Sequence, residues 1–310
     1  MSQKLAQTAA KSLVSVIIPT YNCSGFLKES ISSALAQTYR DLEVVVVDDG
    51  STDDTAHVVS MFDDRVRYIY QTNAGTATAR NTGISNARGS LIAFLDHDDL
   101  WLPNKLERQV PYLLADDTIG MLFCGRQFFN TYTGQVTSTH PAEPELDVHE
   151  LLGHTTIALQ SAIVPMSVLE DVGLFDTELL GTDDWEMTIR IARKYRVVGV
   201  PEVMVSIRGH EGQQGIMTER MYQNSLRVLA KHKRMHDNCA ACRSAVVKAF
   251  NAINEDYYQR QRVAATKALR EHRLIAALQC LTRAFSRRPQ AFARVPARFI
   301  EAIGRKLKRN

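Results

Sequence analysis

Short runs of β-branched residues alternate with amphipathic stretches along the first hundred positions of this 310-residue chain. Val14-Ser-Val-Ile-Ile18 is one such run, stopped by Pro19. Glu43-Val-Val-Val-Val47 is a second, residues 66–70 are a third and Leu91-Ile-Ala-Phe-Leu95 is a fourth. Between the first two, Leu27, Ile31, Ala34 and Leu35 recur with helical spacing on one face, and residues 76–87 read as another helix. Strands that are apolar on both faces and separated by helices predict a mainly parallel sheet covered on both sides. In such sheets ligands bind beyond the carboxyl ends of the strands. Polar clusters stand at those ends: Pro19-Thr20-Tyr21-Asn22, Asp48-Asp49-Gly50-Ser51 and Asp96-His97-Asp98-Asp99.

The remainder is less regular. Strands are expected near 121–129, 160–165 and 197–207, and from about residue 217 helix patterns dominate. This gives a polar tail over 1–12, an α/β domain over 13–215 and an α-helical extension over 216–310. Hydrophobic residues make up 45% and charged residues 23%, enough for an ordinary core and incompatible with a disordered or low-complexity chain.

The net charge of +3 conceals an asymmetry. Residues 264–310 carry 12 Lys/Arg against Glu271 and Glu301, a balance of +10 that leaves −7 on the rest. Such a basic end suits either a solvated face or an anionic membrane surface. It has no RNA-binding motif and no aromatic interleaving, so nucleic acid is not an expected partner. The longest uncharged stretch, 151–169, is interrupted by polar groups and does not read as a membrane span. The N-terminus lacks the apolar segment of a secretory signal. Five scattered cysteines fit a reducing cytosol better than a disulfide framework, and Cys239-Ala-Ala-Cys242 reads as structural.

Several clusters could carry chemistry. Asp96 and Asp98 follow a buried strand, and on extended backbone residues i and i+2 point the same way, so both carboxylates could meet one hard divalent cation. The bland alternative is a solvated turn with Asp99 capping a helix near Leu102-Pro103. Asp49, at a strand tip, could accept the imide N–H of a uracil-type base or merely close an Asx turn. Arg80 could balance a diphosphate or be a surface arginine. Asp183 and Glu186 match the N-cap and N3 residues of a capping box; Asp184, beside Trp185, is left over and suits a general base. His210, in a glycine-bearing loop, could contact metal or be an ordinary loop histidine.

Taken together these motifs resemble the family 2 glycosyltransferases. The resemblance runs through Val16-Ile-Ile-Pro-Thr-Tyr-Asn22, Ser33-Ala-Leu-Ala-Gln-Thr38, Val47-Asp-Asp-Gly-Ser51, Ala79-Arg-Asn-Thr-Gly83 and Phe94-Leu-Asp-His-Asp-Asp99. It resumes at Gly173-Leu-Phe-Asp176 and Asp183-Asp-Trp185, and fades after His210. It implies the GT-A fold, a Rossmann-like, mainly parallel α/β sheet flanked by helices. Residues 13–110 would then bind the nucleotide-sugar and 111–215 the acceptor.

By the same resemblance, Pro19, Thr20 and Tyr21 line the nucleoside, Asp49 reads the base and Arg80 touches the diphosphate. Asp96 and Asp98 form the D-x-D element that holds Mn²⁺ or Mg²⁺, with Asp98 the more direct ligand and His210 a looser one. Asp184 matches the catalytic base of the inverting members. Two departures stand out: members more often carry Glu where this chain has Asp183, and glycines and glutamines follow His210 where serines are usual. The implied reaction is inverting transfer from a nucleotide-sugar, UDP-linked if Asp49 reads a uracil, to a saccharide or lipid-linked saccharide acceptor. The setting would be cell-surface polysaccharide or glycolipid synthesis, in the cytoplasm or peripherally on the inner membrane face.

Rival readings are weaker. A sugar nucleotidyltransferase would open with a glycine-rich phosphate loop, and no G-x-G occurs. A non-catalytic nucleotide- or metal-binding module of the same fold should have lost Asp96, Asp98 or Asp184. A processive synthase would carry Q-x-x-R-W, which neither Trp101 nor Trp185 completes.

Overall fold

The computed structural model describes residues 12–153, 157–209, 219–233, 239–271 and 273–287. Its ten strands are β1 (Val14–Thr20), β2 (Leu42–Asp48), β3 (Val66–Tyr70), β4 (Leu91–Phe94), β5 (Leu100–Trp101), β6 (Ile119–Asn130), β7 (Val136–His140), β8 (Glu145–Leu146), β9 (Ile163–Pro165) and β10 (Arg196–Gly209). They form one sheet in the order β3-β2-β1-β4-β9-β6-β10-β5, with β7 added on β6 and β8 on β10. The helices of the first 215 residues are α1 (Ser24–Leu35), α2 (Thr55–Ser60), α3 (Thr76–Asn86), α4 (Lys105–Ala115), α5 (Val148–Leu152), α6 (Met166–Val172) and α7 (Asp183–Ala192).

The four apolar runs become β1 to β4, all mutually parallel. Every residue of β1 and β2 is buried, as coverage on both faces requires. Val14, Val16, Ile18, Val44 and Val46 turn to one face and join Leu27, Ile31 and Ala34 of α1 in the main core. Val45 and Val47 turn the other way, onto Ala79 of α3. Each such aliphatic side chain contributes roughly 1.5–3 kcal/mol when taken from water. A Cβ at Gly83 would lie 2.4 Å from Ile17 Cγ2, so glycine is what lets α3 settle on β1.

Topology positions the site. From β1 the chain moves outward to β2 and β3, then returns to lay β4 on the other side of β1. This reversal opens a crevice at the carboxyl ends of β1 and β4. Strand β9 runs antiparallel to both β4 and β6, so β6 and β10, which are parallel to each other, regain the direction of β1. The ends of β6 and β10 therefore face the same side as the crevice.

Two local expectations give way to tertiary partners. Asp99 caps no helix: residues 100–101 pair with β10 as β5, and α4 starts at Lys105 with Asn104 as N-cap. Asp183 and Glu186 form no capping box. Thr182 is the N-cap, Asp183 is the first helical residue, and Glu186 Oε2 accepts from Arg190 Nε at 2.8 Å. In each case partners from elsewhere in the chain take the carboxylate: Gln160 and the Arg208 N–H for Asp99, and Arg80 for Asp183, whose Oδ1 also accepts the Gly181 N–H at 3.1 Å.

By its contacts the chain divides into two units, 1–215 and 216–310. The described part of the second contains α8 (Glu219–Lys233), α9 (Ala240–Arg270) and α10 (Leu274–Arg287) and no strand. Within it Tyr222 and Tyr257 stack at 4.3 Å, and the Tyr222 hydroxyl donates to Asn254 Oδ1 at 2.7 Å. Cys239 Sγ accepts the Cys242 N–H at the start of α9. Among the described residues no helix is long and apolar enough to cross a membrane. Most of the basic end, from residue 288 on, lies outside the described residues.

Candidate active site

Past β4 the chain makes a turn through Asp96–Asp99, closed by the Asp99 N–H donating to the Asp96 carbonyl at 3.1 Å. The turn replaces the extended geometry expected there, so strand alternation is not what orients the two carboxylates. The backbone is instead fastened from behind. Ser30 Oγ lies 2.8 Å from both the His97 and Asp99 carbonyls, and His97 Nδ1 is 3.1 Å from the Pro19 carbonyl. Asp99 is 2% exposed; its oxygens accept from Gln160 Nε2 at 2.6 Å and the Arg208 N–H at 2.9 Å. Burial, with Asp96 and Asp98 adding repulsion, pushes the Asp99 carboxyl well above the usual carboxylate range.

Asp96 and Asp98, by contrast, are partly exposed. Two carboxylates on a turn with an anchored backbone supply the hard oxygen donors that Mg²⁺ or Mn²⁺ takes, so the residues present fit such an ion.

Across the crevice stands the N-terminus of α7. Arg80, projecting from α3 and 8% exposed, donates Nη1 to Asp183 Oδ2 at 3.0 Å and Nη2 to Asp96 Oδ1 at 3.2 Å. Its guanidinium lies 5.6 Å from the centre of the Phe175 ring. Burial works against its charge, but Asp183, Asp96 and Asp184 outweigh burial and hold its pKa above the usual arginine value. Both terminal nitrogens are thus committed to carboxylates, and Nε is buried with no partner. Asp184, half-buried at the second position of α7, is pushed up to about 6, by burial first and by Asp183 second, with Arg80 pulling the other way. The crevice therefore holds a carboxylate whose proton affinity is raised above that of an ordinary aspartate, which makes it a better base.

The nucleoside candidates cluster at the ends of β1 and β2. Pro19 and Thr20 close β1, Thr20 Oγ1 is buried without a hydrogen-bond partner, and Tyr21 projects at 47% exposure. The Asp49 N–H donates to the Thr20 carbonyl at 2.8 Å, joining the two strand ends. Asp49 is buried. Its Oδ1 accepts from Gln71 Nε2 at 2.6 Å and the Ala74 N–H at 2.9 Å, and its Oδ2 from the Gly75 N–H at 2.8 Å. A carboxylate has about four lone-pair sites, so one acceptor position on Oδ2 remains. Gly50, at φ +85°, lets the 71–75 loop come this close, since a Cβ there would lie 2.8 Å from the Asn73 nitrogen.

The structure thus brings Pro19, Thr20, Tyr21, Asp49, Asp96 and Asp98 to one end of the sheet, with Arg80 linking Asp96 to the helix that carries Asp184. His210 lies outside the described residues. Sequence reasoning missed the fasteners: Ser30, Gln71, Gln160 and Arg208. Each is a polar residue within or beside an apolar pattern, and only its distant partner shows its purpose.

Residues 15–172 match the model of the glycosyl transferase family 2, and the chain belongs to that family. A glycosyltransferase of Rickettsia typhi is 34% identical over 215 residues, covering 67% of this chain and 68% of that protein. An Escherichia coli enzyme named UDP-Glc:alpha-D-GlcNAc-diphosphoundecaprenol beta-1,3-glucosyltransferase is 29% identical over 184 residues, 59% of this chain and 71% of that one. Among solved structures, a mannosyltransferase of Pyrobaculum calidifontis in complex with GDP-Man and Mn²⁺ superposes with a TM-score of 0.59. It is 21% identical and covers 100% of this chain and 86% of that one. The mixed, mostly parallel sheet with flanking helices is the GT-A fold, and the chain is a transferase of sugars.

Proposed function

We propose that this transferase moves a sugar, with inversion, from a UDP-sugar to a hydroxyl of a saccharide carried on a lipid diphosphate, using a divalent cation. The observation that carries the reading is the Arg80 bridge. By binding both Asp96 and Asp183 it stands the D-x-D turn and the base-bearing helix around a single guanidinium. The Escherichia coli relative, named for a UDP-Glc donor and a lipid-linked acceptor, supports the choice of substrates. The Pyrobaculum structure, holding Mn²⁺, supports the cation.

Asp98 and Asp96 would hold Mn²⁺ or Mg²⁺, with His210 a further candidate ligand. When bound, the cation supplies Lewis-acid stabilisation of the leaving diphosphate. Asp184 takes the proton of the acceptor hydroxyl as that oxygen attacks the anomeric carbon and the bond to the diphosphate oxygen breaks. Its pKa of about 6 leaves it ionised and basic at neutral pH. With a single base opposite the leaving group, one displacement occurs and configuration inverts. The remaining acceptor position of Asp49 takes the uracil N–H, while Pro19, Thr20 and Tyr21 line the nucleoside. Arg80 would reach the diphosphate through Nη2, whose bond to Asp96 is the longer and more exposed of its two.

In this reading residues 13–110 bind the donor, residues 111–215 shape the acceptor side, and the basic end rests on the anionic inner face of a membrane. The test is a panel of nucleotide-sugars with Mn²⁺ or Mg²⁺, reading released nucleotide in the presence of membrane lipid extract. Turnover of one UDP-sugar, abolished by EDTA and by Asp98→Ala, is expected. Turnover that survives EDTA, or that only a GDP- or dTDP-sugar supports, would overturn the metal or the nucleotide assignment respectively.

A further inference from the structure

Arg208 sits near the end of β10, paired in register with Phe129 of β6. Its side chain is 6% exposed, lying 4.6 Å from the centre of the Phe26 ring and 5.1 Å from that of Phe129. Nε donates to the Asp98 carbonyl at 2.8 Å, Nη1 to Thr131 Oγ1 at 3.0 Å and Nη2 to Glu29 Oε2 at 2.7 Å. The backbone N–H of the same residue donates to Asp99 Oδ1. One residue therefore grips the D-x-D turn twice, at the carbonyl of Asp98 and at the carboxylate of its neighbour.

The energetics do not favour Arg208 as a mere stabiliser. Removing a guanidinium from water is costly. Its ion-pair partner among the described residues, Glu29, is 58% exposed, and a partner so solvated returns little. What the site gains is geometric. A planar fork spreads its donors from three nitrogens toward three separate acceptors while its faces lie against two rings; a lysine ammonium, a point charge with all its donors on one nitrogen, cannot span those acceptors.

We infer that Arg208 is a positioning residue for the D-x-D turn: through the Asp98 carbonyl it fixes the direction of the Asp98 carboxylate and so sets the affinity for the divalent cation. The inference rests on the reading that Asp96 and Asp98 hold that cation. It also links the metal turn to the β6–β7 hairpin, since Phe129 and Thr131 hold the other side of the guanidinium.

The experiment titrates Mn²⁺ into the full-length protein in the presence of UDP, following free Mn²⁺ by electron paramagnetic resonance, for wild type, Arg208→Lys and Glu29→Gln. Partners that orient a metal ligand typically set 10–100-fold in affinity. Arg208→Lys is expected to weaken Mn²⁺ binding about 10-fold, and saturating Mn²⁺ should restore kcat to within about threefold. Glu29→Gln, which removes the ion pair but leaves the Asp98 contact, should shift the Mn²⁺ constant less than about twofold. Equal shifts in the two variants, or an unchanged constant in Arg208→Lys, would overturn the inference. A wild type that binds no Mn²⁺ would overturn the metal assignment and the inference with it. Should Arg208→Lys fail to fold, Thr131→Val and Phe129→Leu loosen the guanidinium without removing it; each is then expected to weaken Mn²⁺ binding about threefold, and no change in either would count against the role.

Discussion

Arg80 and Asp183 lie 103 positions apart in the chain, and their side chains meet in a buried ion pair of 3.0 Å. The same guanidinium reaches Asp96, so one cation joins the end of β4 to the start of α7. Nearby Asp184 adds a third carboxylate whose charge favours the cation.

Replacing Arg80 by methionine keeps the volume and removes the charge. Asp183 is then buried without its cation, and breaking a buried pair in this way costs about 3–5 kcal/mol. Urea unfolding at pH 7 should show a loss of that order. Because Arg80 lowers the Asp184 pKa, the acid limb of any residual activity should move to higher pH.

The pH dependence of the native enzyme follows from the same carboxylate. Asp184 must be ionised to accept a proton, and its pKa lies at about 6. At low substrate, kcat/KM, which reports the groups of the free enzyme, should rise about tenfold per pH unit below that value and level off above it. A flat profile from pH 5 to 8 would remove Asp184 from the chemistry.

Asp184→Asn separates function from stability. In the folded state the carboxyl is raised to about 6, against about 3.9 in an unfolded chain. The native form therefore binds the proton more tightly, and the wild type loses stability as pH climbs from about 4 to about 6. An asparagine has nothing to ionise. The variant should lose about 10³-fold in kcat, match the wild type in stability near pH 4 and exceed it by roughly 1–3 kcal/mol at pH 8. Chemical denaturation at both pH values checks this.

Lys105 offers a test away from the site. Its Nζ is buried without a hydrogen-bond partner, 4.2 Å from the centre of the Trp101 ring, and burial lowers its pKa to about 8. The unfolded chain keeps that proton up to about 10.4. Wild-type stability should therefore gain from this group as pH rises from about 8 to about 10.4, where the unfolded state binds more protons. Lys105→Met should lack that gain and be more stable at pH 7 by about 1–3 kcal/mol, the loss of the Trp101 contact offsetting part of the benefit.

The parts of the molecule legible from sequence are those written in local periodicity. Val14–Ile18 and Val44–Val47 declare two-sided burial because no polar residue breaks the apolar core of either run except Ser15, which the structure pairs with Glu43 at 2.6 Å. The D-x-D, the Asp48-Asp49-Gly50 tip and Asp183-Asp184 were visible as polar groups at strand or helix ends. What stayed hidden is set by long-range pairing. Asp99 read as a helix cap because local spacing allowed it, and only the approach of Gln160 and Arg208 shows why it is buried. Asp183 read as a cap for the same reason, and Arg80 claims it from across the crevice. Asp49 reads from sequence as a base reader or the start of an Asx turn, and the 71–75 loop that takes three of its acceptor positions is set by long-range approach.

The stereochemistry of the product tests the proposed mechanism most directly. With an α-linked UDP-sugar as donor and a lipid-linked saccharide as acceptor, proton NMR of the purified product reads the new anomeric coupling. One base at Asp184 and a single displacement predict a β-linkage, formed about 10³-fold more slowly by Asp184→Asn. An α-linkage, or a sugar covalently trapped on the protein, would contradict the mechanism.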